Sequence, residues 1–349
     1  MENNFFVFTE ADLNITFDRF HICTWEFINN SALIEFGGEI NNFNQITKDQ
    51  ITIELFIPWI TKKHTVVDLY NNLKDSENSR FIFNDSVLST KSLDGGKNKN
   101  GVIQEFEERK PLCIIPIKDS INADKRTINV QIDLKPIKEN QIKDQTNIYF
   151  RFYIEVSNHL LSIRKNGISR STVIYDIKVN EKRNLPPDFS RKSFCKINKC
   201  FYFNILPNSF EMAFYDTNAL KNVRTLEFDS FKKYLDDSRV KENELVVVFN
   251  KKQGEESYSF FSIYSKERIG PGQFALATFV NLICGILLFL PNHRAGLENN
   301  LPYIDLVTRL PVEVYISAII GFTIVIYFIW PKITSLYEKF ISKFKRRKL

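Results

Sequence analysis

The chain has 349 residues, 44% hydrophobic and 25% charged, with 47 Lys or Arg against 41 Asp or Glu for a formal charge of +6. A mean hydropathy of −0.21 excludes a polytopic transporter. The charge does not point to a nucleic-acid-binding surface, because nine basic and four acidic residues lie from Gly270 onward and leave 38 and 37 in the rest.

The first 17 residues carry no basic n-region and no apolar run of useful length, so no signal peptide is expected. From residue 5 to about 179 the dominant period is two. Ile51, Ile53 and Leu55 alternate with Thr52 and Glu54, and Ile128, Val130 and Ile132 alternate with Asn129 and Gln131. Each reads as a strand with one wet face. In the run NIYFRFYIEV, Ile148, Phe150, Phe152, Ile154 and Val156 form one face and Tyr149, Arg151, Tyr153 and Glu155 the other, which marks a central strand. Further strands are expected over 5–8, 20–28, 32–36, 81–87, 112–117 and 172–179. Short strands between Asn-, Asp- and Gly-rich turns predict a mainly β region, an antiparallel sandwich or barrel with few helices, rather than a parallel α/β sheet.

Thr65 can cap a helix that places Val66, Leu69, Tyr70 and Leu73 on one face, with Asp68 in the capping-box position. KSLDGGKNKNG at 91–101 reads as a solvated hairpin loop, since no strand-then-helix pattern flanks Gly95 and Gly96 to make a phosphate cradle. NLPPDFS at 184–190 breaks regular structure. It predicts a boundary between a β-rich cytoplasmic domain over 1–183 and a second β-rich subdomain over 190–268. In the latter, strands are expected over 200–205, 210–215, 245–250 and 257–264, with one helix over 225–237.

Beyond Gly270 the character changes. Apolar runs over 273–290 and 312–330 each reach roughly 27–29 Å as helices, the thickness of a bilayer's hydrocarbon core. They predict a two-helix transmembrane hairpin over 273–330. Lys332, Lys339 and the end KFKRRKL follow the second run, and Lys266 and Arg268 precede the first. The positive-inside rule then puts both termini in the cytoplasm, at the inner membrane. Reduced thiols rather than a disulfide framework are expected there, and the five scattered cysteines fit this. The tail over 331–349 is basic and amphipathic. Lys343, Lys345, Arg346, Arg347 and Lys348 are placed to meet anionic lipid.

Each run also carries a stripe of small or polar residues at a spacing of four: Ala277, Asn281 and Gly285 in the first, Glu313, Ser317 and Gly321 in the second. In an antiparallel hairpin Asn281 lies near the depth of Gly321. The stripes either close the hairpin on itself or join several copies, with polar faces that line a pore or weaken the bilayer. Glu313 is close enough to the outer boundary to be interfacial.

No enzymatic motif accompanies these features. G-x-S-x-G, P-loop, G-x-G-x-x-G, kinase and deaminase patterns are missing, and the four histidines are far apart. Cys195 and Cys200 in CKINKC lack a second pair or a nearby histidine, so two thiols flanking a turn are expected and no metal or cofactor. No catalytic residue is assigned.

A β-rich cytoplasmic region joined by a short linker to the helices at 273–330 resembles the two-transmembrane effectors of prokaryotic anti-phage defence in organisation. There the helices precede a small β-barrel, whereas here they follow about 270 residues, and no functional residue carries over. The resemblance implies a non-enzymatic effector that senses a cytoplasmic protein or nucleotide-type activator, self-associates, and permeabilises or depolarises the membrane. The alternative expectation is a tethered binding scaffold whose hairpin only anchors it, and a membrane-bound enzyme is a weaker third.

Overall fold

The computed structural model describes residues 3–10, 12–28, 31–140, 146–167, 170–242, 244–267, 271–296, 310–312, 314–327 and 329–330. Two units are distinguished: 1–165 with 172–266, and 166–171 with 267–349. The first unit is mainly β. It opens with β1 (Asn3–Thr9), β2 (Thr16–Glu26), β3 (Ser31–Ile40), β4 (Gln50–Phe56) and β5 (Val66–Asp68), then α1 (Tyr70–Leu73) and α2 (Ser76–Phe83). There follow β6 (Val87–Ser92), β7 (Val102–Phe106), β8 (Leu112–Ile114), β9 (Lys118–Asn122), β10 (Thr127–Asp133), α3 (Lys135–Glu139), β11 (Asn147–Ser157) and α4 (Asn158–Leu161). The chain continues through β12 (Ile163–Asn166), β13 (Arg170–Val179), β14 (Ser193–Phe194), β15 (Lys196–Ile197), β16 (Lys199–Pro207), β17 (Glu211–Tyr215) and β18 (Leu220–Thr225). It ends with α5 (Phe228–Leu235), β19 (Leu245–Gln253) and β20 (Tyr258–Glu267).

One sheet has the order β17-β20-β13-β1-β4-β10-β9, and the other β18-β19-β16-β2-β3-β11-β8-β7-β6. The period-two faces read in the sequence meet in one core. Ile51, Ile53 and Leu55 of β4 and Ile128, Val130 and Ile132 of β10 share it with Ile148, Phe150, Phe152 and Ile154 of β11. β11 is central, paired with β3 over ten residues and with β8 on its other side. The expected antiparallel arrangement needs one correction: β1 with β13, β8 with β11 and β2 with β16 run parallel. Each of these pairs joins strands far apart in sequence, and a hydrophobic alternation carries no record of strand direction.

The boundary expected at 184–190 does not separate two cores. β16 lies between β2 and β19 in one sheet, and β20 adds to β13 in the other, so strands from both sides of the Pro-Pro stretch build the same unit. Phe189 from that stretch instead packs flat on Phe8, at 5.2 Å, over the outer face of β1.

Two local expectations change as well. The strand expected over 81–87 is the last turn of α2 followed by a reversal. Asp75 caps α2 by accepting from the Glu77 N–H at 2.8 Å, and Asn84 ends it at φ +52°, in the left-handed region that an asparagine tolerates. The helix expected from Thr65 is divided into β5 and α1. Asp68 does not serve Thr65; its carboxylate accepts from the backbone N–H of Tyr70 at 2.9 Å and of Ile117 at 3.0 Å, tying the segment to a distant loop.

Burial pushes the Asp68 carboxyl up to about 6 from an ordinary 3.8, against the opposing pull of those two donors. Because the folded-state value lies above the unfolded one, the folded protein binds this proton more tightly and stability rises as pH falls through 6. The unfolding free energy is expected to gain about 1 kcal/mol from this group between pH 7 and pH 5. Urea titrations at both pH values check it: Asp68→Asn removes that gain, and an unchanged pH slope in the variant would refute the assignment.

In the second unit, α6 (Pro271–Ala295) is long and apolar enough, over Gly272–Phe289, to cross a membrane. The second run appears as a shorter apolar helix, α7 (Val314–Tyr327).

Candidate functional site

The outer face of the larger sheet carries the side chains that a one-sided strand would leave to water. Here they are buried, because α1, α2 and α5 cover them. Trp25, Leu33, Tyr149, Ile205 and Val247 pack with Tyr70, Phe231 and Tyr234 in a second apolar cluster. Charged groups lie inside it. Glu35 of β3 is wholly buried and accepts from Trp25 Nε1 at 2.6 Å, Arg151 Nε at 2.6 Å and Tyr234 Oη at 3.1 Å. Burial pulls the Arg151 guanidinium down, but Glu35 opposite and Tyr234 beside it hold it well above its ordinary value. Gly37 makes this packing possible: a Cβ there would lie 2.8 Å from Tyr149 Oη and 3.3 Å from Arg151 Cγ.

Next to this network a cleft opens between the C-terminal turn of α2 and the sheet. Its inner part has a volume of about 310 Å³. Arg19, His21 and Cys23 of β2, Phe201 and Phe203 of β16 and Phe249 of β19 form one side, and Phe81 and Phe83 of α2 the other. The outer part, about 600 Å³, shares Arg19, Phe83, Asn84 and Arg109 with it and adds Lys110 and Lys199 opposite Asp18, Glu39, Asp85 and Glu108. Two rings flank that of Phe249: Phe203 at 4.7 Å and Phe201 at 5.7 Å, both within 8° of parallel. The Arg109 guanidinium sits 4.7 Å from the centre of the Phe83 ring and donates to Glu39 at 2.8 Å. Glu39 also accepts from Asn147 at 2.7 Å.

His21 shares a hydrogen bond of 3.0 Å with Tyr149 Oη through Nδ1. Burial, reinforced by Arg151, Arg19 and Arg109, holds it well below its ordinary value, so it is neutral at pH 7. Burial, and after it Glu35, pushes the Cys23 thiol well up. Neither is poised as a proton carrier or nucleophile. The arrangement suits binding: a dry aromatic wall beside fixed guanidinium groups.

Cys195 and Cys200 are separate buried thiols, both pushed up by burial. Among the described residues no group of three or more His, Cys, Asp or Glu side chains converges as a metal site.

The helix stripes are placed as follows. Ala277, Asn281 and Gly285 are exposed on α6, and a Cβ on Gly285 would have nothing within 4 Å. Ser317 is exposed on α7. Gly321 is buried, and a Cβ there would meet Leu282 Cδ1 at 3.2 Å. The residue that meets Gly321 is thus Leu282, next to Asn281 in sequence and about 100° around the helix from it. Glu313 and the basic tail residues Lys343, Lys345, Arg346, Arg347 and Lys348 lie outside the described residues.

The cleft was missed in the sequence because its residues come from seven helices and strands and from the loop that carries Arg109. Its one visible trace is the second face of β11, where Tyr149 and Arg151 stand on a strand too central to be wet.

No family model matches the chain, and no curated protein matches it. Among solved structures, the Fcho1 mu homology domain of Danio rerio with bound Eps15 peptide aligns over 76% of this chain and 80% of its own. The identity is 6% and the TM-score 0.14, too low to argue even a shared fold.

Proposed function

We propose that this chain is a membrane effector. Its β-rich unit senses a cytoplasmic partner or ligand, and its two C-terminal helices form a hairpin that self-associates and permeabilises or depolarises the inner membrane, in the setting of anti-phage defence. The observation that carries this reading is the face of α6 that α7 leaves uncovered: Ala277, Asn281 and Gly285 are exposed while Gly321 is used against Leu282. Small residues and an amide on a lipid-facing surface favour helix–helix contact over contact with acyl chains. Only three residues separate Glu267 of β20 from Pro271 of α6, so a change in the β-rich unit has little slack to lose before it reaches the membrane.

A second reading, a tethered scaffold, draws on the Gly321–Leu282 contact, since a hairpin closed on itself is all that an anchor needs. Overexpression separates the two, because crowding copies in the membrane drives association by mass action without an activator. The effector reading expects a potential-sensitive dye to report depolarisation by the full chain and none when residues 273–349 are replaced by an unrelated two-helix anchor. Unchanged potential with the full chain overturns it.

A further inference from the structure

We infer that the cleft under α2 binds a small anion that carries a planar aromatic ring. The inner cavity joins an aromatic wall to positive charge: Phe81, Phe83, Phe201, Phe203 and Phe249 stand beside Arg19, Arg109, Arg151 and Arg224, and among the described residues no carboxylate lines it. The counter-ions lie outside that lining: Glu35 for Arg151, Glu39 for Arg109 and Arg19, Glu227 for Arg224. Two of the cations are incompletely satisfied. Among the described residues, the Nε atoms of Arg19 and Arg109 are shielded from solvent and form no hydrogen bond; Arg19 Nε has Glu39 at 3.6 Å and Asp18 at 3.7 Å, beyond hydrogen-bond reach, and the Arg109 side chain is only 10% exposed. A buried guanidinium N–H without an acceptor is a standing cost that an anionic oxygen removes. Both arginines line the inner and the outer cavity, and Asp18, Glu39, Asp85 and Glu108 line only the outer one, so the anionic group belongs on the inner side of the two arginines.

The walls define the rest of the ligand. Aliphatic and aromatic groups bury area equally well, but phenyl rings and guanidinium planes gain further from a facing or edge-on π system. This region already assembles that way, with Phe81 edge-on to Phe231 at 4.5 Å and Arg19 over Phe201 at 6.0 Å. A volume of about 310 Å³ stands at the lower end of small-molecule sites, which limits the ligand to about the size of a mononucleotide. A nucleotide and an aryl carboxylate share this chemistry.

Calorimetry on the purified full chain in detergent tests it with 5′-AMP, 5′-UMP and indole-3-carboxylate as probes, and with inorganic phosphate, uridine and hexanoate as controls. At least one ring-bearing anion is expected to bind about tenfold or more tightly than every control, and the arm that responds identifies the source. Arg19→Gln, at the rim, and Phe203→Leu, which keeps apolar volume but removes the ring, are each expected to weaken that binding about tenfold. Circular dichroism and thermal midpoints verify that both variants fold. The inference is overturned if no ring-bearing anion exceeds hexanoate and phosphate, or if binding survives both substitutions unchanged. Binding is read without a membrane potential, so its failure and the failure of the effector reading are separate results.

Discussion

Arg151→Met is expected to lower the free energy of unfolding by about 3–5 kcal/mol. Glu35 is the reason. Its side chain is wholly buried, and among the described residues Arg151 is the one cation that donates to it; Trp25 and Tyr234 supply neutral donors. Removing the guanidinium leaves a carboxylate in an apolar cluster between β3 and the helices above it, which is far more costly than losing the ion pair as a unit. Methionine keeps the packing volume, so the loss reports charge rather than a cavity. Arg151→Met with Glu35→Gln is therefore expected to be more stable than Arg151→Met alone, with a coupling of about 2 kcal/mol in a double-mutant cycle. Urea unfolding measures all three variants. A single-variant loss under about 1 kcal/mol, or strictly additive effects, would show that the pair does not hold the sheet and its helical cover together.

The same residues show what the sequence could and could not disclose. NIYFRFYIEV announced both faces of β11, and Ile148, Phe150, Phe152 and Ile154 are core residues because an alternation of this kind fixes which face is apolar. It left open what lies on the other face. Arg151 stands on that face with no partner named by the sequence until Glu35, 116 positions earlier, is found beneath the same helices. Pairing between distant strands decides this, as it decides the parallel β2–β16 ladder and the merging of 1–183 with 190–268. Phe81 to Phe83 were misjudged for a local reason: three apolar residues fit a strand or a final helical turn equally well, and the Asp75 cap and left-handed Asn84 choose the turn. Of the two apolar runs expected to span, length and hydropathy qualify α6 alone among the described residues, and α7 is shorter than a span needs. Which side of α6 meets its neighbour was not legible, since Ala277, Asn281 and Gly285 share their spacing with Thr278, Leu282 and Ile286, one position further along.

That one-position difference sets the last expected result. Cys284 is exposed on α6 between Asn281 and Gly285, and Cys23, Cys113, Cys195 and Cys200 are buried. If copies meet through the uncovered stripe, mild oxidation of the full chain in membranes yields covalent dimers through Cys284, and Cys284→Ser yields none. Asn281→Leu with Gly285→Leu removes the interhelical amide and fills the small-residue notch while raising the hydropathy of the span, so membrane residence is retained. Contacts of this kind contribute about 1–2 kcal/mol between helices in lipid, so the pair of substitutions is expected to reduce dimer yield roughly tenfold and to abolish depolarisation. Gly321→Leu acts on the other contact: its side chain must displace Leu282, which opens the α6–α7 packing and leaves the stripe chemically intact. Dimers that persist in Asn281→Leu, Gly285→Leu but vanish in Gly321→Leu would place the association on the α7 side and leave the α6 stripe with no role beyond anchoring.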